Sequence, residues 1–260
     1  MIKSLIKKSL GMVADTVFRH RGWMFPDYVN LSHRINLLLF GNEQDVVRLM
    51  KRRLRPGMCV LDVGANVGWI SRVCAEKVGT TGRVVAFEPD PYTRGFLEHN
   101  VKRHPNISIS TIALSDVNEV SQLHIHPHSG TSNSLINFDP NALTVDVECK
   151  TIDTFLDENP DVIPNCIKID VEGAEPKVMN GMTRTAARIP GLFLVIEFCP
   201  ENLANGGYAT ADYYSLLKSL GMSVEIIGKD GRTQPVRDLD ELMLKLGDSV
   251  YCNLLCCRNS

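Results

Sequence analysis

The segment Asp62-Val63-Gly64-Ala65-Asn66-Val67-Gly68 sets a carboxylate two residues ahead of a glycine, directly after the apolar run that begins at Met58. A glycine turn that leaves a buried strand and opens a helix aims backbone N–H groups at a pocket, and the missing side chains let a ligand approach closely. Gly64, Ala65, Asn66 and Gly68 are the residues so placed. The turn alone does not choose its ligand, because dinucleotide enzymes and P-loop proteins use it too. In the dinucleotide fingerprint G-x-G-x-x-G a glycine stands where Asp62 stands here, and a pyrophosphate would be repelled by that carboxylate. A cationic ligand with an amino group suits it.

Two further polar positions narrow the ligand. Glu88 follows the apolar run Val84-Val85-Ala86-Phe87, about twenty residues after the turn, where an acid accepts both hydroxyls of a ribose. It could equally serve as an acid ahead of the helix that opens at Pro91. Ser115 and Asp116, in Leu114-Ser115-Asp116, follow the next strand and could reach an adenine amino group, or could form an ordinary turn. Acids at successive strand ends form a row across the carboxyl edge of a sheet, where open α/β sheets bind ligands. S-adenosylmethionine, with its ammonium, sulfonium, ribose and adenine, fits the row. A nicotinamide-dependent oxidoreductase is the second reading; Glu88 would serve it, and Asp62 opposes it.

In Lys168-Ile169-Asp170-Val171-Glu172 the period of two puts Lys168, Asp170 and Glu172 on one side of a strand that runs toward the same edge. Carboxylates at that rim can orient a bound hydroxyl or accept its proton. Asp170, Glu172 and Glu197, the last at the end of the next strand, are the candidate catalytic acids. Asp170 and Glu197 could hold a divalent metal such as Mg²⁺, or share a proton. Lys168 reads as an ion-pair partner or a catalytic group, Glu172 equally as a capping acid, and Glu175 as a capping acid at the helix that opens at Ala174. His124-Ile125-His126-Pro127-His128 alternates imidazoles without a carboxylate or cysteine cluster beside it, so it reads as exposed strand and turn. Ser129-Gly130-Thr131-Ser132-Asn133-Ser134 suits a polar acceptor contact or a plain loop.

These residues need a scaffold. Strands are expected over Met58 to Val63, Arg83 to Phe87, Ile107 to Ile112, Cys166 to Ile169, Leu192 to Phe198, Met222 to Ile227 and Val250 to Cys257. Helices are expected over Asn42 to Arg53, Trp69 to Val78, Pro91 to Arg103, Ala174 to Arg188, Ala211 to Leu220 and near Leu239 to Leu246. The alternation makes a doubly wound α/β sheet. Val120 to His126 and Leu143 to Cys149 alternate in polarity and read as a β-hairpin inserted at about 117–150. Residues 1–45 read as a helical extension and 46–260 as the ligand-binding domain. Met1 to Arg19 has helical amphipathicity with Lys3, Lys7 and Lys8; packing on its own domain or on a second subunit, as in a homo-oligomer, is preferred to contact with a membrane surface.

A net charge of −2 from 28 basic and 30 acidic residues gives no field for nucleic acid. No apolar run reaches the length of a signal-peptide core or a membrane span. The eight cysteines contain no C-x-x-C, and six of them (Cys59, Cys166, Cys199, Cys252, Cys256 and Cys257) lie in apolar runs. Reduced thiols in a cytoplasmic protein are expected.

From Val46 to Arg258 the sequence resembles the FkbM family of class I S-adenosylmethionine-dependent methyltransferases. The resemblance rests on Val60 to Gly68, Ala86-Phe87-Glu88-Pro89-Asp90, Ala113-Leu114-Ser115-Asp116, Thr151-Ile152-Asp153 and Ile167 to Glu175. It implies a Rossmann-like, seven-stranded sheet with an antiparallel last strand, with S-adenosyl-L-methionine as donor and S-adenosyl-L-homocysteine as product. It also implies transfer to a hydroxyl of a sugar, glycan or polyketide-type small molecule. An N-methyltransferase or a non-catalytic cofactor-binding partner subunit are the other functions weighed.

Overall fold

The computed structural model describes residues 13, 16–26, 29, 43–125 and 133–258. Its central sheet has the strand order β10-β9-β11-β8-β7-β1-β2-β3. The strands are β1 (Cys59–Val63), β2 (Arg83–Phe87), β3 (Ile107–Ser110), β7 (Cys166–Ile169), β8 (Phe193–Phe198), β9 (Met222–Ile227), β10 (Thr233–Val236) and β11 (Cys252–Arg258). From β3 to β8 every pairing is parallel, while β11 runs antiparallel to both β8 and β9. All seven expected strands are present, the last of them antiparallel, and β10 adds an eighth at the edge. Pro235 obscured it in the sequence; proline cannot donate to a ladder, and an edge strand tolerates it.

β7 and β8 read as near-continuous apolar runs because helices cover both faces of a parallel sheet. On one face lie α1 (Gln44–Arg53) and α2 (Trp69–Val78), whose Val47, Met50, Cys74 and Val78 pack on Val60, Val84 and Val195. On the other face a larger core joins Leu61, Ile167 and Leu194 to Met179, Leu217 and Leu242. The chain goes from β1 outward to β2 and β3, then crosses to lay β7 on the other side of β1. That reversal leaves a crevice at the carboxyl ends of β1 and β7, the usual ligand position in such sheets.

The crossover carries the insertion. β5 (Val120–Ile125) and β6 (Leu143–Lys150) pair as the expected antiparallel hairpin, and β4 (Ala113–Leu114) joins β6 to complete a small second sheet. The strand expected to run to Ile112 therefore ends at Ser110, because Ala113 and Leu114 pair with Cys149 and Lys150 instead of continuing beside β2. His126, His128 and the stretch from Ser129 to Ser132 lie outside the described residues, as does most of the expected helix Met1 to Arg19, of which residues 13 and 16–19 are seen to be helical. Among the described residues no helix is long and apolar enough to cross a membrane. All eight cysteines are free, five of them buried.

The helix expected over Ala174 to Arg188 is two helices, α5 (Glu175–Asn180) and α6 (Thr183–Arg188). A Cβ on Gly181 would stand 2.0 Å from the Ser115 carbonyl oxygen, so the break is where the chain passes the start of the insertion. The motif Thr151-Ile152-Asp153 serves the same region. Thr151 caps the unanticipated α4 (Ile152–Glu158), while Asp153 accepts from the Arg184 and Thr185 N–H groups at the start of α6. Gly181→Ala should therefore destabilise the protein by about 1–3 kcal/mol through overpacking. Urea unfolding with an unchanged slope checks it.

Candidate active site

The crevice is a cavity of about 450 Å³ reaching from the β2 end to the β8 end, within the roughly 300–1,000 Å³ range of small-molecule sites. Its floor is the loop Gly64 to Val67 between β1 and α2. Gly64 has φ 79°, and a Cβ there would fall 1.9 Å from the Asp170 carbonyl oxygen. Gly68, with φ 86°, would collide with Leu97 of α3 (Pro91–Val101). The Asp170 backbone demands the first glycine, and the positive φ favours glycine at both. Gly64 lines the cavity and Gly68 does not.

Glu88 lies at the β2 end, only 6% exposed, and lines the cavity. Its Oε2 accepts the Asn66 N–H at 2.9 Å and its Oε1 the Asp90 N–H at 3.0 Å. Each oxygen retains a lone pair for a ligand hydroxyl. Burial raises its carboxyl to about 7 despite these bonds. Asn66 holds φ 49° and turns its side chain back to accept from the Val67 N–H, so its backbone N–H faces Glu88. Asp90 caps α3 through the Tyr92 and Thr93 N–H groups. Phe87, Ile112, Ala113 and Leu114 add apolar wall.

Ser115 and Asp116 are placed elsewhere. The Ser115 N–H donates to the Lys150 carbonyl and its hydroxyl to Asp116, and neither residue lines the cavity. The departure of β4 toward β6 carries them off the carboxyl edge of the large sheet. Asp62 is also removed from the cavity wall. It is fully buried on β1, accepts from the Ser71 hydroxyl of α2, and lies 3.9 Å from Lys168.

Lys168 stands beside Asp62 in the β1–β7 register, so the two side chains share a face. Its ammonium contacts Asp170 at 3.0 Å and donates to the Gly64 carbonyl at 3.3 Å. Burial works against that charge, but Asp170, Glu43 and Asp62 outweigh it and hold the lysine protonated. Glu43, just ahead of α1, lines the cavity too, and burial lifts its carboxyl to about 7. Nothing in the local sequence marked Glu43, because only the packing of α1 across β1 and β7 brings it to this end.

At the β7 and β8 ends, single side-chain oxygens of Asp170, Glu175 and Glu197 lie within 4.8 Å of one another. Burial, then Asp170 and Glu172, drive the Glu197 carboxyl to about 10, and burial and Asp170 take Glu172 to about 8. Glu172 adopts φ 53° and accepts from Asn202 at 3.0 Å. Glu175, expected to cap its helix, instead turns inward and accepts the Val171 and Gly173 N–H groups of the preceding loop at 2.9 and 3.3 Å, and the helix has no side-chain capping bond at its start. The insertion is pinned across this end. The Ser134 hydroxyl lies 2.8 Å from the Glu172 carbonyl and Asn133 donates to Asp90 at 3.1 Å. Among the described residues Asp170, Glu175 and Glu197 are the acids grouped closely enough to hold a metal ion, and Lys168 is ion-paired to the first of them.

The donor set fits S-adenosylmethionine. A paired acceptor at Glu88 suits a ribose, the apolar wall suits an adenine, and the far end is acidic enough for a cationic group. Fold and cavity thus define a Rossmann-like α/β protein with a ligand-sized crevice at the carboxyl edge of its sheet. The model of the FkbM methyltransferase domain matches residues 62–224. The chain is 28% identical over 196 residues to the hexuronic acid methyltransferase AglP of Haloferax volcanii, covering 71% of each protein. It is 27% identical over 189 residues to methyltransferase 1 of Beauveria bassiana, covering 64% of this chain and 73% of that one. A crystal structure of methyltransferase FkbM from Methylobacillus flagellatus aligns at 16% identity and a TM-score of 0.47, over 95% of this chain and 58% of the other. The chain belongs to the FkbM methyltransferase family, with the class I fold and S-adenosylmethionine dependence of that family, and the nicotinamide reading falls away.

The raised carboxyls set a pH dependence. The folded state binds protons to Glu197 and Glu172 more tightly than the unfolded chain, whose carboxyls titrate near 4.5. Stability is therefore fullest below that value and is lost as pH rises toward the folded values. Melting temperature should fall from about pH 6 to about pH 9, and less steeply in Glu197→Gln. Melting curves of the two proteins across that range check it; parallel profiles would refute it.

Proposed function

We propose that the chain transfers the methyl group of S-adenosylmethionine to a hydroxyl oxygen of a small sugar-like or polyketide-type acceptor. The observation that carries this reading is the meeting of Glu88 and the Asp170–Glu172–Glu197 cluster in one cavity. In this reading Glu88 takes the ribose hydroxyls, the loop from Gly64 to Val67 supports the donor, and Phe87, Ile112 and Leu114 flank its adenine. The bound donor supplies an electrophilic methyl on a sulfonium.

The acids divide the acceptor's needs between them. Glu197, with its carboxyl near 10, keeps a proton at neutral pH and offers a hydrogen-bond donor. Asp170, paired with Lys168, is then the acceptor that orients the incoming hydroxyl and receives its proton. With the one described lysine of the cavity committed to Asp170 and Gly64, the wall is rich in acceptors, which matches a substrate rich in O–H donors. The relative that acts on a hexuronic acid supports a sugar.

Isothermal titration with S-adenosylhomocysteine should detect binding, weakened about 10- to 100-fold in Glu88→Ala by loss of charge-assisted bonds. No binding to the folded wild type would refute the reading. With a turnover assay on hydroxyl acceptors, Asp170→Asn should lower kcat by about 10²–10⁴ while leaving that binding intact. Because Lys168 already neutralises Asp170, activity should survive exhaustive chelation; its loss and recovery with Mg²⁺ would assign the acids to a metal instead.

A further inference from the structure

The family match begins at Asp62, yet part of the cavity wall comes from far upstream. After the helical residues 16–20 the chain turns at Gly22, with φ 74°, and runs along α2. Trp23 stacks on Trp69 at 4.9 Å, and the Arg72 guanidinium lies 4.0 Å over the Trp23 ring. Phe18 packs edge-on against Phe25 at 4.7 Å. The Met24 backbone is held at both ends by one side chain. Its N–H donates to Asn100 Oδ1 at 2.6 Å, and Asn100 Nδ2 donates back to its carbonyl at 2.9 Å. The same Nδ2 donates to the Val67 carbonyl of the glycine loop at 2.8 Å. Asn100 is 3% exposed, so nothing but protein satisfies it. Phe25 emerges from this clamp half-buried and, like Trp69 and the loop Gly64 to Val67, lines the cavity.

We infer that residues 18–26 form the outer wall of the donor site, with Phe25 as a contact to bound donor and Asn100 as a positioning residue. This rests on the donor reading given above. Phe25 supplies an aromatic surface in the cavity that holds the donor, and its burial on binding strengthens the complex. Asn100 ties that surface to the loop through Met24 and Val67, so a displaced strap and a displaced loop go together. The aromatic stack and the guanidinium over it make the clamp cohesive.

The test uses the full-length protein with S-adenosylhomocysteine as probe. Titration calorimetry should give about tenfold weaker binding for Phe25→Ala, from the lost apolar contact, with Phe25→Leu recovering most of it. The melting temperature of the ligand-free Phe25→Ala protein should stay near that of the wild type. Trp23 and Trp69 are the chain's two tryptophans, so their emission reports the clamp. Free Asn100→Ala should emit to the red of wild type, and saturating ligand should return it toward the blue, as reseating of the strap requires and a merely destabilised core would not give. Wild-type binding with both alanine variants within twofold of it would overturn the inference. Absence of binding by the wild type would instead refute the donor reading on which it rests.

Discussion

A buried lysine joins the two halves of this sheet. Lys168 sits on β7 opposite Asp62 of β1, at the strand pair where the chain reverses direction across the sheet, and its ammonium is shared by Asp62, Asp170 and the Gly64 carbonyl. A charge out of water persists only when its partners are well placed. Removing any partner would leave the others uncompensated, so the strand ends, the glycine loop and the first residue of the β7 loop are locked in one geometry. Gly64 completes the constraint, because the Asp170 carbonyl occupies the volume a side chain would need.

The rest of the site follows from that junction. With Asp170 fixed, the chain behind it bends through Glu172 and Gly173, both at positive φ, around the inward-facing Glu175. The turn sets Glu172 and Asp170 beside Glu197, and the crowding of carboxyls in a poorly solvated end is what drives their protons on. At the opposite end Glu88 is held by the N–H groups of Asn66 and Asp90, which are themselves part of the loop and of the helix cap. The cavity thus has an acceptor for neutral hydroxyls at one end and an acidic cluster at the other, separated by apolar wall. The insertion spans the two, bonded to Asp90 through Asn133 and to the Glu172 carbonyl through Ser134.

The sequence by itself determined the alternation of strands and helices, because apolar runs bounded by glycine and proline mark strands buried on both faces. It also determined the glycine loop, Glu88 and the acids at the ends of β7 and β8, since each lies within a residue or two of a strand end that local pattern defines. The separation of structural from site residues belonged to the tertiary structure. Asp62, Ser115 and Asp116 have the right types at the right strands, yet Asp62 turns into the sheet toward Lys168 and Ser71, and the pairing of β4 with β6 draws the other two away from the cavity. Glu43, Phe25 and Asn100 carried no local signal, because each gains its place only when segments tens of residues apart are packed together. Local spacing decides which face of a strand or helix a side chain takes; which surfaces that face then meets is set by strand order and by the path of the chain between strands.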